Sequence, residues 1–150
     1  VNGCTIAQFY PFDGRRESAI GFASPLPRFE VRNSLVTGYH DDEVVWEAPK
    51  EGDAFNFLFD HCVLRTEKLE TDDSLKFTHV VYEDIKDTTV FAEKHFRLFD
   101  TDNLKYDFHL RKESAAIGKA DAETLPETDR DGLPRKKEQP AAGCFEYKEE

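Results

Sequence analysis

The stretch Leu104-Lys105-Tyr106-Asp107-Phe108-His109-Leu110-Arg111 alternates apolar and polar residues without a break. Leu104, Tyr106, Phe108 and Leu110 therefore share one face, the pattern of a half-buried strand. Upstream, residues 93–99 put Phe96 and Leu98 on one face and Glu93, His95 and Arg97 on the other. Asp100-Thr101-Asp102-Asn103, between the two runs, is dense in turn formers. Together they predict an antiparallel hairpin.

Its register follows from the side chains. With Thr101-Asp102-Asn103 as the loop, Phe96 is expected opposite Phe108, Leu98 opposite Tyr106, Arg97 opposite Asp107 and Glu93 opposite Arg111. Apolar then meets apolar, and opposite charges meet. A two-residue loop would set Phe96 against Asp107, because a one-residue slip turns every side chain to the other face. Asn103 is expected to take the left-handed conformation that a three-residue loop needs.

Working outward, strands are expected at residues 5–10, 29–32, 43–47, 54–66 and 74–82. Phe55, Phe57 and Phe59 alternate with Asn56 and Leu58, and Leu75, Phe77 and Val81 share a face with His79, which is expected in the core. Short strands at about ten-residue spacing, with no internal repeat apparent, predict an all-β, mainly antiparallel barrel or sandwich. The predicted β domain covers residues 1–112. Residues 113–150 are expected to form a short helix near 114–125, weakened by about 1 kcal/mol at Gly118, and an extended charged tail. Cys144-Phe145-Glu146-Tyr147 is the part of that tail expected to dock back.

The composition supports this class. Of 150 residues, 39% are hydrophobic and 34% charged, with 13 Phe, one Trp and no Met, which favours a Phe-rich β core. The formal charge of −11 opposes binding to nucleic acid or to an anionic membrane, and the one tight basic run, Arg135-Lys136-Lys137, sits among acids. No apolar run approaches the ~20 residues that a membrane-spanning helix requires. Opening on Val1 rather than Met fits either a mature exported product or a fragment, and export is the expectation. Cys4, Cys62 and Cys144 form no C-x-x-C motif; all three pairings are open, as are three free thiols.

Candidate chemistry is sparse. The hairpin register sets His95 opposite His109, a pair that would hold Zn²⁺ or Cu²⁺ if a third ligand approached, or act as a pH sensor. The plainer alternative is two solvent-facing histidines with no role. Asp41-Asp42-Glu43 and Asp72-Asp73 offer oxygens to Ca²⁺, and Thr128-Asp129-Arg130-Asp131-Gly132 resembles a fragment of a calcium loop that lacks the third ligand and the closing Glu, so solvated loops are expected. Cys62 follows His61, yet neighbours on a strand point to opposite faces and make no dyad. With no catalytic motif, an enzyme is not expected, and no cofactor beyond a divalent metal is implied.

Thr101-Asp102-Asn103-Leu104-Lys105-Tyr106 resembles the T-D-Y-x-x-Y turn motif of the lipocalins, with Asn103 in place of the first Tyr. The resemblance implies an up-and-down barrel in which Thr101, Asp102 and Tyr106 are structural. It also implies a disulfide between Cys62 and Cys144, which lie 144 − 62 = 82 residues apart. The family's early G-x-W is missing, since the only tryptophan is Trp46, and no eighth strand follows Arg111. The implied function is that of a secreted, non-catalytic protein carrying a small hydrophobic molecule. Its cavity would be lined by Phe55, Phe57, Phe59, Phe77, Phe96, Tyr106 and Phe108. The alternative is an extracellular structural or adhesive β-sandwich that meets a protein partner through its surface and tail.

Overall fold

The structure, a computed structural model, describes residues 1–10, 12, 17–68 and 75–149; Asp72-Asp73 lies outside them. Strands β1 (Thr5–Gln8), β4 (Leu35–Gly38), β7 (Val63–Leu64) and β9 (Val81–Tyr82) form one sheet in that order. A second sheet joins β3 (Leu26–Arg32), β6 (Phe55–Asp60) and β8 (Phe77–Thr78), and a third joins β2 (Ile20–Phe22) and β5 (Val44–Trp46). Every pairing in these three sheets is parallel. The predicted antiparallel barrel or sandwich is therefore wrong: the chain coils, and strands pair with their counterparts one circuit later.

A short repeat explains the coiling. Val1-Asn2-Gly3-Cys4-Thr5-Ile6, Val31-Arg32-Asn33-Ser34-Leu35-Val36, Phe59-Asp60-His61-Cys62-Val63-Leu64 and Phe77-Thr78-His79-Val80-Val81-Tyr82 lie in parallel register. The third residue of each, Gly3, Asn33, His61 or His79, has φ between +50° and +61°. One left-handed residue between two strands bends the chain from one sheet to the next without reversing it, so partners meet only after a full circuit. The expected strands 54–66 and 74–82 are each cut in two at this corner.

In-register stacking puts like beside like inside the coils. Phe59 stacks on Phe77 at 5.3 Å and Phe22 on Trp46 at 5.6 Å. Val31, Val36, Val44, Phe57, Phe59, Cys62 and Leu64 form the buried interior, with Phe29 and Phe55 packed against it. Parallel sheets need cover on both faces, and β4, buried along its whole length, shows where that cover lies. Val36 and Leu64 point into the coils, while Leu35 and Val63 face a second apolar layer with Phe9, Phe96, Leu110, Ala116 and Ala142.

The cover consists of a 3₁₀ turn at Ala92–His95, the hairpin β10 (Phe96–Asp100) and β11 (Lys105–Leu110), and residues 113–149. The hairpin forms as expected, but its register differs. Phe99 pairs with Tyr106, Leu98 with Asp107 and Phe96 with Leu110, across an irregularity between Phe96 and Leu98. Asp100 accepts hydrogen bonds from the Asn103 backbone and side-chain amides, widening the loop to four residues. The left-handed residue is Leu104, not Asn103. Phe99 thus replaces Leu98 on the inner face.

No helix forms at residues 114–125; turns take its place, with Gly118 at φ +72°. The following segment is not extended chain but packed structure. Asp129, buried, accepts from the backbone N–H groups of Asp131, Leu133 and Glu146, and Arg135 donates to the Gly143 carbonyl at 2.8 Å. The Cys144 N–H donates to the Thr5 hydroxyl at 3.0 Å, and no covalent tether forms. All three cysteines are free, and the Cys62–Cys144 disulfide is absent because Cys62 lies inside the coils while Cys144 lies on the cover.

Candidate functional site

Three polar constellations emerge. The first lines a cleft of about 590 Å³ between β1 and the cover, walled by Cys4, Thr5, Tyr106, Phe108, His109, Arg130, Cys144 and Phe145. Alternation along β11 delivers Tyr106 and Phe108 to one face, where they stack at 6.0 Å. Gly143 presses against Thr5, whose hydroxyl accepts from the Cys144 N–H at 3.0 Å, which sets the cleft's width.

His109 is the best-anchored polar group there. Its Nδ1 lies 2.5 Å from Asp107 Oδ1, its Nε2 lies 3.0 Å from Asp131 Oδ2, and Phe145 stacks on the ring at 4.0 Å. Partial burial lowers its pKa, but hydrogen bonds to Asp131 and Asp107, and their charges, outweigh that and raise it above the ordinary 6.5. Asp107 and Asp131 are correspondingly held below the usual carboxylate range. For Asp107, bonds from the His109 backbone and ring overcome burial; for Asp131, the His109 hydrogen bond is the largest influence.

The second constellation is buried. His95 Nε2 donates to Glu83 Oε1 at 2.8 Å, and its Nδ1 lies 2.7 Å from the Ser114 hydroxyl. Glu83 also accepts from Thr37 and Arg65. The order Ser–His–Glu has the shape of a nucleophilic triad, yet all three residues are sealed from solvent, so no substrate reaches the hydroxyl. Its consequence is mechanical: residues of the coils and of the cover share one polar knot. The predicted His95–His109 pair does not form, because the observed register brings Arg111, not His109, to the His95 backbone.

The third lies at the left-handed corner. Asp60 Oδ2 accepts from Arg32 at 2.8 Å, and Oδ1 accepts from Thr78 at 2.7 Å and from His79 Nδ1 at 3.2 Å. His61 Nδ1 is 3.0 Å from the same oxygen but misaligned, so this buried nitrogen has no hydrogen bond. The two imidazoles stack at 4.2 Å. Burial raises the Asp60 pKa, yet bonds from Thr78 and His79, with the His61 and Arg32 charges, bring it below the usual range. His79 was expected in the core; its side chain is 69% exposed.

The predicted ligand wall divides accordingly. Phe55, Phe57, Phe59 and Phe77 pack on one another inside the coils, Phe96 is buried under the cover, and Tyr106 and Phe108 alone reach the cleft. Sequence reading missed Asp60, Glu83 and Ser114; the recurring corner hexapeptide was the signal for the first.

Coils, left-handed corners and a lateral cover define the chain as a parallel β-solenoid. No family model, no curated protein and no solved structure matches it.

Proposed function

We propose that the chain is a non-catalytic, exported binding module that takes a small, partly apolar molecule in the open cleft beside β1. The supporting observation is the cleft itself. Its size falls within the roughly 300–1,000 Å³ typical of ligand sites, and Tyr106 and Phe108 offer it ring faces. Arg130 on the same wall has no ion-pair partner among the described residues and would meet an anionic group. Without a closed barrel, an internal chamber is no longer part of this reading.

The test uses 8-anilinonaphthalene-1-sulfonate, an aromatic body with one sulfonate, as the probe. Its fluorescence should rise on the intact chain, and the Y106A/R130A variant should weaken binding by at least about tenfold, the sum expected for one ring contact and one charge-assisted bond. Equal affinity in the parent and the double variant would overturn the proposal. Native mass spectrometry of protein from its source would reveal a co-purifying ligand, and fractionation would check export.

A structural or adhesive role is the second reading, favoured by the outer hairpin face, where Leu98 and Leu104 are 45% and 60% exposed. It predicts assembly that L98K/L104K abolishes while leaving probe binding unchanged.

A further inference from the structure

We propose that Asp60, His61 and His79 form a binding site for one first-row divalent transition-metal ion, with Zn²⁺ the reference case. Among the described residues, this group places three metal-ligating side chains with their donor atoms all within 4.8 Å of one another.

The distances fit. Ligands at about 2.0–2.2 Å from a tetrahedral zinc lie roughly 3.3 Å apart along each edge. Asp60 Oδ1 stands 3.0 Å from His61 Nδ1 and 3.2 Å from His79 Nδ1, close to two such edges. Hydrogen bonding accounts for only one of them. His61 Nδ1 is buried, points at no acceptor in usable geometry, and carries a lone pair or proton without a partner. A cation seated between the three donors satisfies it.

The fold supplies the rest of a metal centre. His61 and His79 occupy the same left-handed corner in successive coils, so backbone register fixes their spacing. Arg32 and Thr78 hold the Asp60 carboxylate, the outer-shell support that ligating groups require. The same corner one coil earlier holds Asn33, whose amide is taken up by Asn2, Thr124 and the Asp121 N–H, so the ligand set ends at two coils. A cleft of about 500 Å³ opens over both imidazoles, with Lys119, Asp121 and Gln139 on its walls. It leaves a fourth position to water or to an incoming donor. Two nitrogens and one carboxylate select zinc-like ions over Ca²⁺ or Mg²⁺, which take oxygen ligands.

The experiment is calorimetric titration of the chelator-treated full chain with Zn²⁺, with Co²⁺ absorption as a second readout. One ion should bind with a Kd below about 10 μM, uncompeted by millimolar Ca²⁺. H79A should weaken binding by more than about tenfold, and because the side chain is largely exposed, its cost to folding should be limited to the strain of an alanine at a left-handed φ. H61A should do the same, and circular dichroism of each variant separates loss of ligand from loss of fold. H109A, which removes the imidazole–carboxylate cluster on the cover, should bind as the parent does. Absence of uptake, uptake unaffected by H79A, or uptake abolished by H109A would each overturn the site.

Discussion

Glu83 and His95 meet through a 2.8 Å hydrogen bond with both side chains fully sealed from solvent. Glu83 follows β9 in the last coil, whereas His95 and its other partner Ser114 belong to the cover. Removing the imidazole leaves the buried Glu83 Oε1 without its donor and takes one partner from the buried Ser114 hydroxyl. His95→Ala should therefore cost about 3 kcal/mol, in the range for breaking a buried polar pair from one side. Urea unfolding measures it, and His95→Gln, which can still donate to Glu83, should lose less.

Gly38 ends β4 where the chain must leave room for a buried carboxylate. A Cβ there would collide with Glu43 Oε1 and lie 2.7 Å from the Gln8 carbonyl oxygen. Glu43 cannot yield easily, because it accepts the Ala19 N–H at 2.8 Å and the His40 N–H at 3.0 Å. Gly38→Ala should destabilise by about 2 kcal/mol, typical of overpacking. A thermal melt should show the drop, whereas Gly52→Ala, at a site with nothing near its absent Cβ, should cost only the strain of its left-handed φ.

His109 should titrate above 6.5, followed by NMR of its ring protons, and Asp131→Asn should lower the midpoint. The sign follows from linkage. A folded pKa raised above the unfolded value contributes stability that is complete below 6.5 and is lost as pH rises through the folded value. The gap between parent and D131N should thus narrow as the pH rises from 6 to 9. The group keeps some contact with solvent, so screening keeps the effect small. A midpoint at or below 6.5 would rule out the carboxylate clamp.

The hairpin and the Phe-rich interior were legible because each depends on local alternation or composition. Sheet direction was not. Phe55, Phe57 and Phe59 alternate identically whether their neighbour runs parallel or antiparallel. The deciding residues were Gly3, Asn33, His61 and His79, and their spacings of 30, 28 and 18 residues disguise the repeat. Loop lengths differ between coils, so a fixed-period search passes over it. The site residues were hidden for a related reason: Asp60 and His79 are 19 residues apart and meet only through parallel register.

Cys62 offers a check on the coiled interior. It lies between the corner His61 and β7, fully buried, with its thiol donating toward the Val31 and Asp60 carbonyls. Burial pushes its pKa up to about 11, so only about 0.1% is thiolate at pH 8, and the thiolate is the reactive form. Cys4 and Cys144 are only partly buried and share the open cleft. In the reduced native chain, Ellman's reagent at pH 8 should therefore titrate two thiols quickly and the third only as fast as the protein unfolds. Guanidinium should release all three together. Three fast thiols in the native protein would mean that the His61–Cys62 corner opens to solvent, which parallel register through Asp60 and Thr78 does not permit.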